Sequence, residues 1–215
     1  MAEVQNHGNL FEAEVIKTRT GYTKEDYQNL MEGGYTSSFD MLEGVGNSEG
    51  NYSIKVTGNR SIGCSDILRF FKHCRDNEFT MVLGVWKQIS KTQKTYLEIY
   101  EIKFDPKTCK NVWGNMTEDM LTPFVEYVKS IEPGKEAQIA NRKLWKEKRK
   151  AIYDKVEGCV MKIDAKIDSK NQRRVQCSVK IDDLINAGLT VNKYTNNYYT
   201  ITLPYVQDST PRTFN

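Results

Sequence analysis

The chain has 215 residues, of which 39% are hydrophobic and 27% charged. That is enough apolar material for one large core or two small ones, and it is not the composition of a disordered segment. Its 31 lysines and arginines exceed its 28 acids by only three, so the sum of charge does not imply a polyanionic partner and its placement must be read instead. The absence of any 18-residue apolar run excludes a hydrophobic membrane span from the expectation. Met1–His7 has no apolar signal core. The five cysteines, Cys64, Cys74, Cys109, Cys159 and Cys177, are odd in number and lack C-x2-C spacing. His73 beside Cys74 lacks further zinc ligands. Free thiols and a reducing, cytoplasmic location are expected.

In chain order, residues 9–20 read as an amphipathic helix with Leu10, Phe11 and Val15 inward, Glu12 and Glu14 on other faces, and Gly21 as its stop. A second helical turn is predicted from Thr23 through Met31. Residues 35–42 and 51–57 read as two strands joined through turn-forming residues 43–50 into a hairpin. After a Gly/Asn-rich loop, Ser65 is predicted to cap a helix that runs to about His73. Residues 79–88 (FTMVLGVWKQ) form a β-branched and aromatic run expected as a strand buried on both faces, and residues 95–104 read as its antiparallel neighbour. Residues 105–115, with Pro106 and Gly114, read as a loop. Helices are predicted over 117–131 and 136–156, and a second hairpin over 160–167 and 173–181. A short helix before Gly188 and a last strand over 198–205 complete the pattern. The expected fold class is α/β (α+β), a central mixed sheet flanked by helices. It is expected as one domain over 1–215, with a core at about 8–104 and residues 117–205 serving DNA contact or dimerisation. Asp105–Asn115 is the only candidate boundary.

Asp40 ends one predicted strand, Lys55 lies in the next, and Asp66 opens the following helix. An acid and a lysine on the two arms of a hairpin, with a second acid nearby, suit a site that binds a divalent metal and attacks a phosphodiester. Carboxylates hold the ion, and the lysine positions water and offsets charge on the phosphoryl group.

This order of elements and residues resembles the PD-(D/E)XK nuclease superfamily, and within it the type II restriction endonucleases. The family pattern is a helix bearing a glutamate, a strand with an aspartate, a strand with acid-x-lysine, then a helix and further strands. This chain offers Glu12 and Glu14, then Phe39-Asp40, then Ser53-Ile54-Lys55, then the helix from Ser65, over residues 8–104. It departs from the pattern in having Phe39 before Asp40 and Ser53 where an acid is usual. The resemblance implies Mg²⁺ as cofactor, with Asp40 as main ligand and Lys55 as the lysine of the site. A displaced second acid is expected from Asp66, with Glu14 in reserve and Glu12 as an alternative. It also implies that the Ile54 peptide carbonyl ligates metal.

Charge clusters in two further places. Residues 136–156 carry seven Lys/Arg against three Asp/Glu, and Arg142, Lys146 and Arg149 share one helical face around an expected core of Leu144, Ile152 and Val156. That face suits phosphate contact. Asn171, Arg173 and Arg174, at the second hairpin, are types that read base edges in a major groove, and Asn59 and Arg60 offer another contact point. The expectation is a sequence-specific, Mg²⁺-dependent endonuclease of double-stranded DNA, acting as a homodimer. The alternatives are a non-catalytic nucleic-acid-binding module on the same fold and a structural viral or phage protein that binds nucleic acid. No P-loop or GxGxxG points to a nucleotide enzyme.

Overall fold

The computed structural model describes residues 3–31, 39–167 and 172–208. Its first elements are α1 (Glu3–Thr20), α2 (Lys24–Leu30), β1 (Tyr52–Thr57), β2 (Ser61–Asp66), α3 (Ile67–Asp76), β3 (Phe79–Gln88) and β4 (Gln93–Phe104). Then come α4 (Pro106–Trp113), α5 (Glu118–Ser130), α6 (Lys135–Tyr153), β5 (Lys162–Ile167), β6 (Arg173–Lys180) and α7 (Ile181–Asn186). The chain closes with β7 (Val191–Tyr194), β8 (Asn197–Tyr198), β9 (Ile201–Thr202) and β10 (Tyr205–Asp208). The mixed α/β class expected from the sequence is the class observed: β1 pairs β3 in parallel, and β3 pairs β4 antiparallel. Where the sequence offered one domain, the chain folds into two compact units. One comprises residues 1–60, 78–104 and 190–215, the other 61–77 and 105–189.

The first unit is built on the sheet β1-β3-β4, with β10 and β7 both bonded to β4. They share that strand end to end, β10 beside Gln93–Tyr96 and β7 beside Ile99–Ile102. β3 stands between two strands, and its Met81, Val82 and Leu83 are fully buried. Burying each such side chain contributes about 1.5–3 kcal/mol. α1 lays Phe11, Val15 and Ile16 into a core with Tyr52, Ile54, Val82, Tyr96 and Ile99. Leu10, expected inside, is exposed because it lies beside that face rather than on it. Phe11 stacks on Tyr96 with ring centroids 4.7 Å apart. Gly84 of β3 makes room for this pair: a Cβ there would come within 2.7 Å of the Phe11 ring and 2.8 Å of Tyr96. Arg19, near the C-terminus of α1, donates to the hydroxyls of Tyr52 and Tyr198, each at 2.8 Å, and ion-pairs with Glu101 of β4. The helix is thereby bolted to both β1 and β4.

The second unit carries the antiparallel sheet β2-β6-β5. α5 packs on β6 and α6 on both α5 and β5. Its core includes Ile67, Phe71, Trp113, Leu121, Val128, Ile163 and Val175. The Phe71 and Trp113 rings meet edge to face at 5.1 Å.

Several sequence expectations are corrected. Residues 39–42 form no strand: of the predicted first hairpin, the described residues contain one bridge, Met41 to Tyr52, and residues 35–38 lie outside the described ones. The loop before α3 is the strand β2, and the cap of α3 is Asp66, not Ser65, which has φ +67°. The 105–115 loop is the helix α4. Asp105 closes a capping box with Thr108, and Pro106 occupies the first turn, where it lacks no needed donor. Gly114 ends α4 at φ +59°, packed so closely that a Cβ would lie 1.8 Å from the Glu157 carbonyl oxygen. Leu144 is exposed rather than core, whereas Ile152 is buried. The single strand over 198–205 is instead parts of β8, β9 and β10. All five cysteines are free thiols, and among the described residues no helix is long and apolar enough to cross a membrane.

Candidate active site

Among the described residues β1 is the edge strand of its sheet, so the backbone donors on its outer side need acceptors from elsewhere. The segment entering at Phe39 supplies them. The Asp40 and Met41 amides both donate to the Tyr52 carbonyl, at 2.9 and 3.1 Å, and the Tyr52 amide returns a bond to Met41 at 2.8 Å. One step further along, the Asp40 side chain replaces the backbone: its Oδ2 accepts from the Ile54 amide at 2.6 Å. The same oxygen accepts from Lys55 Nζ at 3.2 Å, and Lys55 Nζ also donates to the Ile54 carbonyl at 3.0 Å. The fold therefore joins the three groups singled out in the sequence, namely Asp40, Lys55 and the Ile54 carbonyl. Both side chains of the Asp40–Lys55 pair are a little over one-quarter exposed.

Glu12 of α1 stands by this pair. Burial raises its carboxyl above the ordinary glutamate value, the charge of Asp40 raises it further, and Lys24 and Lys55 pull it back. Lys24 Nζ lies 2.8 Å from Glu12 Oε2. The result is two carboxylates that repel each other, two ammonium groups that offset them, and one peptide carbonyl, all carried by α1, α2 and the Asp40–β1 edge. Glu14 is turned about 200° around the helix axis from Glu12. It lines a different recess with Leu10, Lys17 and Tyr205. Asp66 belongs to the other compact unit, where its Oδ1 accepts the Arg69 amide at 3.1 Å. Of the two glutamates of α1 weighed for the second position, Glu12 is the one whose carboxyl is raised by the charge of Asp40. Sequence alone does not separate Glu12 from Glu14, because a two-residue choice on a helix needs the register of the buried face, and exposed Leu10 blurs that register.

The donor set suits a hard cation. Among the described residues no group of three or more His, Cys, Asp or Glu is placed to hold a metal ion. Two carboxylates and a carbonyl fit Mg²⁺, which keeps several waters and takes its remaining ligands from substrate phosphate. They do not form a closed protein cage.

The residues expected to touch DNA are dispersed. Asn59 is tied into the turn after β1, with its amide on Thr57 Oγ1 at 3.3 Å. Arg60 donates to Glu98 and Tyr100, at 3.2 and 2.7 Å. Arg173 reaches the Ile131 carbonyl at 3.3 Å, Arg174 faces the Gln176 side-chain amide, and Asn171 lies outside the described residues. On α6, Arg142 and Lys146 are exposed, whereas Arg149 is bound to Asp164 and to the Ile163 carbonyl. Comparison with protein-family models, curated proteins and solved structures gives no match.

Proposed function

We propose that the protein is a Mg²⁺-dependent endonuclease of double-stranded DNA, with its site at Glu12, Asp40 and Lys55. The observation that carries this reading is the convergence of Asp40, Lys55 and the Ile54 carbonyl on one strand edge, with the partly buried Glu12 carboxyl within reach of the Asp40 charge. Asp40, Glu12 and the Ile54 carbonyl would hold the cation. When bound, Mg²⁺ supplies polarisation of a phosphoryl oxygen and a more acidic water. Lys55, hydrogen-bonded to both Asp40 and the Ile54 carbonyl, would orient an attacking water and offset charge that builds on the phosphoryl group. Lys24 holds Glu12 in place. A symmetric cut in a duplex calls for this chain twice, hence a two-fold dimer.

Supercoiled plasmid incubated with Mg²⁺ tests the reading: the wild type converts it to nicked or linear product, whereas EDTA and the variants Asp40→Asn and Lys55→Met stop conversion. Asn retains an oxygen for the Ile54 amide, so loss of cleavage with an intact fold is a loss of chemistry. Cleavage by both variants at the wild-type rate would sink the assignment. The two-carboxylate donor set favours one second reading, a nucleic-acid-binding module without catalysis, which the same assay separates as duplex binding without product.

A further inference from the structure

The second unit contains a basic cleft that the sequence pattern did not outline. Its volume is about 680 Å³, and Lys146, Arg149, Lys150 and Tyr153 of α6 line it with Lys162, Ile163 and Asp164 of β5. The helix and strand are stitched together across its floor. Tyr153 Oη donates to the Met161 carbonyl at 2.9 Å and accepts from the Ile163 amide at 2.8 Å. Arg149 donates to the Ile163 carbonyl at 3.0 Å and pairs with Asp164. Arg149 is therefore a buttress whose charge is already met, not the phosphate contact that helical spacing alone suggests. The charge left to the cleft is that of the lysines. Lys150 shares its ammonium with Asp154 at 2.9 Å, while Lys146 and Lys162 have no ion pair among the described residues.

We infer that this cleft docks the phosphodiester backbone of a nucleic acid, with Lys146 and Lys162 as its main contacts and Lys150 as an auxiliary one. The lysines come from two elements whose spacing is fixed by the Tyr153 and Arg149 bonds, so the ammonium groups stand pre-arranged around a concave surface. All three are solvent-exposed, so each alone holds a small anion weakly. A polymer with regularly spaced phosphates engages several at once and gains by releasing its condensed counterions. The cleft carries no base-reading amide among its lining residues, so the contact is blind to sequence. It stands apart from the proposed cleavage chemistry and holds whether or not the first unit cuts DNA.

The experiment measures binding of a labelled 20-base-pair duplex by fluorescence anisotropy, in EDTA and across a chloride series. It uses wild type, Lys146→Glu/Lys162→Glu and, as a control with the same change in net charge, Lys135→Glu/Lys143→Glu. The control residues sit on the same helix outside the cleft. The cleft variant is expected to bind at least tenfold more weakly, with a log–log salt slope shallower by about 1.8, the value for two lost phosphate contacts. The control is expected to stay within about twofold of wild type. Equal weakening in both variants, or in neither, would overturn the proposal. So would a cleft that fails to bind duplex but is stabilised by inorganic phosphate over chloride, or that binds phosphatidylserine vesicles instead. Because EDTA removes any cleavage, failure of the endonuclease reading leaves this result readable on its own.

Discussion

The two compact units handle charge in opposite ways. In the unit built on the mixed sheet, Arg19 and Glu101 are paired with side chains less than one-tenth exposed, and the Glu12 carboxyl is pushed up by burial. In the antiparallel unit the buried ionisable groups among the described residues are thiols, with Cys74 and Cys177 raised well above the usual range chiefly by burial, while pairs such as Lys150–Asp154 and Arg75–Asp76 stay at the surface. Buried ion pairs contribute little net stability, because desolvation offsets their attraction, but they penalise every arrangement that breaks them. The first unit thus fixes geometry: Arg19 lies two helical turns from Glu12 on the same side of α1, and its bonds to Tyr52 and Glu101 fix the rotation of that helix against β1 and β4. The second unit leaves Lys146, Lys150 and Lys162 in water, where their field extends into solution.

The comparison is broken most directly at Lys55. Lys55→Met is expected to lower plasmid cleavage on the order of 10²–10³-fold or more, the scale for removing one group that stabilises transition-state charge. The pair with Asp40 is partly exposed, so unfolding in urea should shift by less than about 1 kcal/mol. A variant that loses stability and cleavage together would make Lys55 a structural residue.

Next in size is the buried pair. Arg19→Met alone, or Glu101→Gln alone, strands a charged or polar partner and is expected to cost about 3–5 kcal/mol in denaturant unfolding. The double variant Arg19→Met/Glu101→Leu should recover part of that loss. By contrast, Lys150→Ala at the exposed pair of α6 should change stability by less than about 1 kcal/mol. Equal effects at the two pairs would erase the distinction between the units.

Glu12 gives a test with a sign. Its folded carboxyl holds its proton to higher pH than the unfolded chain does. The favourable contribution of the protonated form is complete below the ordinary glutamate value of about 4.3 and is lost as pH rises through the raised folded one. Glu12→Gln removes the titration, so its melting temperature should exceed that of the wild type at pH 8, and the difference should vanish near pH 4. The same variant should cleave poorly with Mg²⁺. A carboxyl that destabilises the resting protein but is needed for turnover is the expected mark of a working site. Wild-type-like stability at both pH values would remove that argument.

What could be read in advance follows the strength of local chemistry. β3 was legible because ten consecutive residues, rich in β-branched and aromatic side chains, suit only a buried strand, and Asp40 with Lys55 was legible as an acid and a lysine on neighbouring segments. α4 was not, since Pro106 and Gly114 read as breakers when they were in fact its first turn and its stop. β2 hid behind Gly63 and two serines, whose weak strand propensity is overridden by pairing with β6. The second acid was open because Glu12 and Glu14 differ by a rotation that only packing resolves. The basic cleft was invisible in principle: Lys162 joins Lys146 across a strand and a helix, and no spacing within either element encodes that meeting.

The smallest expected effect separates the units most finely. Asp66 satisfied the sequence criteria for a displaced metal ligand, yet it caps α3 through the Arg69 amide in the unit that lacks Asp40. If capping is its role, Asp66→Ala should cost about 1 kcal/mol, while Asp66→Asn, also a good cap, should be nearly neutral. Both should cleave plasmid at the wild-type rate, because the proposed site is built from Glu12, Asp40 and Lys55 alone. A ligand behaves otherwise. Asn keeps the hydrogen bond but loses the charge that a divalent ion needs, so a fully stable Asp66→Asn protein with cleavage reduced tenfold or more would return the second acid to Asp66. It would also overturn the assignment of the whole proposed site to the first unit.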